Sequence, residues 1–210
     1  MNRFAAIIAV IALGASAPAS ATTLARLSHE QVVDASDAIV EGTVSRVWST
    51  MDEGGKVWTR AYVTVDRSLK GQHAVGETVM VEAAGGTSPA GSVTYVGLTP
   101  RYAEGERVLL YLSLKRHGTV YGTVGMLMGK YTIKQNPADG SDMVVRFTVP
   151  ADVAYDARFV PNPPAGERIS LASMEVKVAE RLKAGWDGEP IPGVSREHLM
   201  EINNLQPGVK

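Results

Sequence analysis

The chain reads as a mainly β protein, an antiparallel sandwich or barrel with a short helix before it and another helix after it. Three observations predict this. Short runs of β-branched and aromatic residues recur between turn signals at spacings of about 8–14 residues. Helical periodicity is confined to stretches on either side of that region. An apolar content of 45% over 210 residues leaves ample material for a core.

The elements follow in order. Met1-Asn2-Arg3 supplies one positive charge, and Phe4 to Gly14 is an apolar run of about eleven residues, too short for the ~20 that span a bilayer. Ala19-Ser20-Ala21 then matches a small-residue cleavage site, so a secretory signal peptide is expected over 1–21, with Thr22 as the mature N-terminus. Ser28-His29-Glu30-Gln31 has the form of a capping box and predicts a helix over Ser28 to Ser36. The period then changes. Ile39 to Trp48 and Val57 to Val65 flank the turn residues Asp52-Glu53-Gly54-Gly55 and predict a hairpin. Further strands are expected at Thr78 to Ala83, Ser92 to Val96, Arg107 to Leu114, Thr119 to Val124, Lys130 to Lys134 and Met143 to Val149. Gly118, Gly122, Gly125 and Gly129 fall within or beside these strands, and are read as permitting bulges and corners in a curved sheet. Pro161, Pro163 and Pro164 mark an extended linker. Ser170 can cap a helix with Leu171, Met174, Val178 and Leu182 on one face, ended by Gly185. A last short helix is expected from Ser195. The organisation is therefore a signal over 1–21, a β-barrel domain over 22–150, a Pro-rich linker over 151–169, and a helix and tail over 170–210.

Composition narrows the chemistry. With 21 basic and 22 acidic residues the net charge is −1, which argues against nucleic-acid binding. The absence of cysteine removes disulfides and thiol chemistry, and fits a periplasmic or secreted bacterial protein held together by packing alone. No later segment is long and apolar enough to be a transmembrane segment. His29, His73, His117 and His198 lie far apart without paired-ligand spacing, so no metal site is expected. Gly86-Thr87-Ser88-Pro89-Ala90 approaches a nucleophile elbow, but Pro89 lacks the N–H that would serve the oxyanion, and a Gly-rich loop is expected instead. Met126-Leu127-Met128 would place two thioethers on one face of an extended segment, for core packing. Asn136, Asp139, Ser141 and Asp142 carry turn chemistry without the spacing of a calcium loop. No catalytic residue and no cofactor is expected.

One feature stands out. A hairpin centred on Glu53-Gly54 places Trp48 opposite Thr59, Val44 opposite Val63 and Ser45 opposite Tyr62. One face then carries Val40, Val44, Trp48, Val57, Ala61, Val63 and Val65 and is expected to be core. The other face carries Val47 and brings Trp58, Arg60 and Tyr62 together, an aromatic and cationic composition common at contact surfaces.

Longer stretches carry a resemblance. They are Asp37-Ala38-Ile39-Val40-Glu41-Gly42-Thr43-Val44, Trp58-Thr59, Val65 to Gly71, Glu82 to Gly86, Tyr102 to Leu112 and Gly129-Lys130-Tyr131. Together they resemble a group of uncharacterised exported bacterial proteins whose OB-like barrel is similar to the inhibitory domain of tissue inhibitors of metalloproteinases. The resemblance spans about Gln31 to Val149, implies an antiparallel OB-like β-barrel and supplies no catalytic residues. Those inhibitors chelate the protease zinc through an N-terminal cysteine, which this chain lacks.

The expected function is a non-enzymatic exported binding module for a protein, peptide or glycan partner, with Trp58, Arg60 and Tyr62 as its contact residues. Alternatives are a structural or assembly part of the cell envelope, docking through the C-terminal helix, and a hydrolase of envelope polymers using dispersed carboxylates.

Overall fold

The computed structural model describes residues 26–115, 118–148 and 165–203. The expected signal segment, His117, most of the Pro-rich linker and the last seven positions (204–210) lie outside the described residues. Helix α1 (His29–Asp34) starts where expected. The Ser28 side chain accepts from Gln31 N while the Gln31 side chain accepts from Ser28 N, so both halves of the capping box form.

Strands β1 (Ala38–Met51) and β2 (Val57–Lys70) make a long antiparallel hairpin, and β3 (Thr78–Ala84) adds to β2. The Gly-rich loop is a small hairpin of β4 (Gly86–Thr87) and β5 (Val93–Thr94), shorter than the strand expected at Ser92 to Val96. Ser88 Oγ accepts from Ser92 N at 3.1 Å and closes its turn. Strand β6 (Arg107–Leu114) returns beside β1, and β7 (Tyr121–Thr123) pairs antiparallel with β6 and parallel with β3. The ring β1-β2-β3-β7-β6-β1 is thereby a closed five-stranded barrel, the OB-like architecture expected.

After β7 the chain leaves the sheet and comes back. Met126–Gly129 is a 3₁₀ turn, not the extended segment expected for Met126-Leu127-Met128, and β8 (Lys130–Gln135) rejoins the same edge of β6 nearer its start. Gly129 makes the return possible. A Cβ there would lie 2.5 Å from Val124 O and 2.9 Å from Tyr111 O. Strands β9 (Asp142–Thr148) and β10 (Ala165–Ser170) extend the sheet beyond β8. Residues 165–169, read from sequence as the end of the linker, thus form a strand. Helix α2 (Leu171–Ala184) follows at once, with Ser170 Oγ accepting from Ser173 N at 3.1 Å and Gly185 at its end. Helix α3 (Arg196–Ile202) is capped by Ser195.

The barrel encloses one core, including Val40, Val44, Ala61, Val63, Val81, Leu110 and Leu112. A second core lies outside it, where Ile39, Leu109 and Tyr111 meet Val33, Met174, Val178 and Leu199 of the helices. Strands β1 and β6 are therefore covered on both sides over the stretch they share. This is why Val108 to Leu112 is a continuous apolar run without alternation. Of the expected α2 stripe, Leu171, Met174 and Val178 are buried, and Leu182 is half-buried against the same core.

Candidate functional site

The helices and the β8–β10 extension cover one side of the barrel. On the outer face of β1, β2 and β3 near the β1–β2 tip, Arg46 is exposed and Trp48, Trp58, Arg60, Tyr62 and Glu82 are half-buried. Along β2 the buried residues Val57, Ala61 and Val63 alternate with Trp58, Arg60 and Tyr62, so these three share the outer face as expected and are each half-buried.

The register across the hairpin differs from the expectation. Val44 lies opposite Val63 as expected, but a β-bulge at Ser45 shifts the pairing beyond it. Arg46 is opposite Tyr62, and Trp48 is opposite Arg60 rather than Thr59. The one-residue slip exchanges sides, because successive side chains point to opposite faces. Val47 turns toward the barrel core, and Trp48, expected in the core, joins the outer face. Its ring sits 4.7 Å from that of Tyr62 between centroids, inclined by 55°. The Arg46 guanidinium lies 5.4 Å from the Trp48 ring centroid.

Polar partners hold the other half of the face. Trp58 Nε1 donates to Asp52 Oδ2 at 2.9 Å, tying the ring to the hairpin tip. That bond and the Lys56 backbone N–H keep the Asp52 carboxyl below its usual range. Arg60 Nε and Lys115 Nζ each approach one oxygen of Glu82 at 2.8 Å. Burial pushes the Glu82 carboxyl up, but the hydrogen bonds from Lys115 and Arg60 outweigh it and hold it below the ordinary carboxylate range. Lys115 also lies 4.7 Å from the Trp58 ring centroid. The face is thus a continuous arrangement of Arg46, Trp48, Tyr62, Arg60, Glu82, Lys115 and Trp58. Trp48 and Arg46 were legible only if the bulge had been placed. Glu82 and Lys115 are brought in by β3 and by the chain after β6, with no local sequence signal.

The other expected chemistries resolve simply. His29 meets Tyr111 OH at 3.0 Å, His73 bridges Glu77 at 2.8 Å and Tyr121 OH at 3.0 Å, and His198 faces Asp37 at 3.3 Å. Among the described residues no group of three or more His, Cys, Asp or Glu could hold a metal ion. Asn136 and Asp139 cap their own turn, accepting from Ala138 N and Ser141 N.

A second candidate is a cleft of about 430 Å³ at the opposite end of β2, lined by Asp34, Asp37, Lys70, Arg181 and Asn203 among others. Burial lowers the Lys70 amine to about 8 against the pull of Asp34 and Asp37. Its Nζ already donates to Val33 O at 3.1 Å, Asp34 O at 3.4 Å and Asn203 Oδ1 at 3.3 Å. Arg181 is likewise taken by Asp34 and Asp187. These groups stitch α1, β2, α2 and α3 together and leave a ligand few donors.

Comparison with known proteins finds no matching family model, no matching curated protein and no matching solved structure.

Proposed function

We propose that the protein is an exported, non-enzymatic binding module that presents the outer face of β1, β2 and β3 to a protein, peptide or glycan partner in the periplasm or outside the cell. The observation that carries this reading is the gathering of Trp48, Trp58 and Tyr62 with Arg46, Arg60 and Lys115 on one accessible sheet face, outside both cores. Half-exposed aromatic rings beside guanidinium groups have the composition of interface hot spots. The same face of OB barrels is a general polymer-binding surface, with strands 2 and 3 at its centre. The sequence resemblance to exported OB-like proteins supports the same reading, and export itself rests on the Met1 to Ala21 pattern.

The test compares the exported chain with its Trp58→Ala variant in retention of a partner from extracytoplasmic extract. Loss of a hot spot costs about 2 kcal/mol or more of binding. The variant is expected to lose the partner while melting near the wild-type temperature. Lost stability with undiminished retention overturns the assignment of this face.

A further inference from the structure

The side chains of this face also define the chemistry of its occupant. We infer that the occupant is an acidic glycan, a chain of sugars bearing carboxylates, lying across β1 and β2 with its rings on Trp48, Tyr62 and Trp58 and its carboxylates on Arg46 and the Arg60–Lys115 pair. This rests on the reading of the face as the contact surface.

Three observations carry it. The first is that three cations of the face, Arg46, Arg60 and Lys115, have a single carboxylate paired with them among the described residues. Arg60 and Lys115 share the single carboxylate of Glu82, and among the described residues no carboxylate is paired with Arg46, which is exposed and packs against Trp48. A guanidinium held over an indole keeps its outward N–H groups in a planar fork that matches a carboxylate. The second is the backbone. Strand β2, which carries Trp58, Arg60 and Tyr62, is hydrogen-bonded to β1 on one side and β3 on the other. On β1, Val47 N is occupied by Glu104 Oε1 at 2.9 Å. An extended peptide therefore cannot add a strand to β2, and over Trp58, Arg60 and Tyr62 it would meet side chains alone. Aromatic rings facing outward suit the C–H faces of pyranose rings, which need no backbone pairing. The third is the rim. Asp52, Glu82 and Glu104 lie among the cations. A nucleic acid, with a phosphate at every nucleotide, needs a groove of uninterrupted positive charge. A polymer with carboxylates set apart by sugar rings can place them on Arg46 and Arg60 and bypass the acids.

Affinity electrophoresis and calorimetry of the full exported chain test this, with polygalacturonate, dextran, poly-L-glutamate and oligodeoxythymidylate as probes. The expected result is binding to polygalacturonate and none to dextran, weakened at least tenfold by Arg46→Ala and by Trp48→Ala with unchanged melting. Arg46→Lys should restore only part of it, and Lys177→Ala on the distant α2 should bind as wild type. Binding should fall as salt is raised. Equal binding to dextran refutes the acidic character. Binding only to poly-L-glutamate or the oligonucleotide refutes the glycan while sparing the face, provided the same variants abolish it. Polygalacturonate binding that Arg46→Ala and Trp48→Ala leave intact refutes both this inference and the assignment of the face. Failure of every probe overturns the glycan inference and leaves the face to its separate test with Trp58→Ala.

Discussion

Glu41 is a buried acid on β1, and its Oε1 has no hydrogen-bond partner among the described residues. Burial, followed by the neighbouring Glu175 of α2, raises its carboxyl from 4.5 to about 7, although Arg67 and Arg107 act in the opposite direction. Arg67 is itself engaged by Glu175 at 2.6 Å. The folded state holds this proton more tightly than the unfolded chain does. The stabilisation is therefore complete below about pH 4.5 and is lost as pH rises through about 7. Urea denaturation from pH 5 to pH 8 should show wild-type stability falling relative to Glu41→Gln, whose difference from wild type removes the shared histidine contribution. Parallel pH curves would refute the raised carboxyl. Gly129 gives a second residue-scale expectation. Gly129→Ala drives a methyl into two carbonyl oxygens and should cost about 2–4 kcal/mol, whereas Gly97→Ala, with nothing within 4 Å, should stay within about 0.5 kcal/mol.

At the scale of elements, α2 is stabilised by its face more than by its ends. Met174 and Val178 are each 1% exposed and lie against the outer side of the barrel. Met174→Asp removes a buried side chain and places a carboxylate among apolar neighbours, for a cost of at least about 3 kcal/mol by chemical denaturation. Ser170→Ala removes the bond from Ser173 N and the one that Ser170 Oγ donates to Ser173 Oγ, both exposed, and should cost about 1 kcal/mol. If the two variants lose similar stability, the packing of α2 contributes far less than its burial implies. The β1–β2 hairpin shows the opposite balance. Its tip extends beyond the barrel, where tethers such as Trp58 to Asp52 hold it. Asp52→Ala should therefore loosen Trp58, read as faster amide exchange at residues 51–57, with little change in global stability.

For the whole molecule, the two cores share strands β1 and β6, with Val40 and Leu110 in one and Ile39, Leu109 and Tyr111 in the other. Neither core can be dismantled without exposing those strands to water on one side. Thermal unfolding followed by near-UV and far-UV circular dichroism should give coincident transitions. A chain ended after Ser170 loses Met174, Val178 and Leu199 from the second core and uncovers Leu109 and Tyr111. It should bind a hydrophobic dye and melt without cooperativity. A sharp transition near the wild-type temperature would instead establish the barrel as an independent unit.

Elements whose signals are local were legible in the sequence. The Ser28 box, the Ser170 and Ser195 caps, the Gly185 stop and the period-two runs of β2 and β3 each depend on residues a few positions apart, so their chemistry is visible in one window. The trio Trp58, Arg60 and Tyr62 was legible for the same reason. The bulge at Ser45 was not, because adjacent Val47 and Trp48 can each supply the inward apolar residue and local alternation does not choose between them. Closure of the barrel chose. The inward position here lies opposite Ala61, beside Val63, and Val47 fills it, leaving the larger indole outside against Tyr62. Glu82 and Lys115 reached the face only through pairing of β2 with β3 and the return of the chain after β6. The sequence by itself determined the fold class, the helix boundaries and two of the three aromatic rings of the face. Tertiary structure alone decided which tryptophan completes that face and which charges surround it, because those depend on packing and pairing between residues distant in the chain.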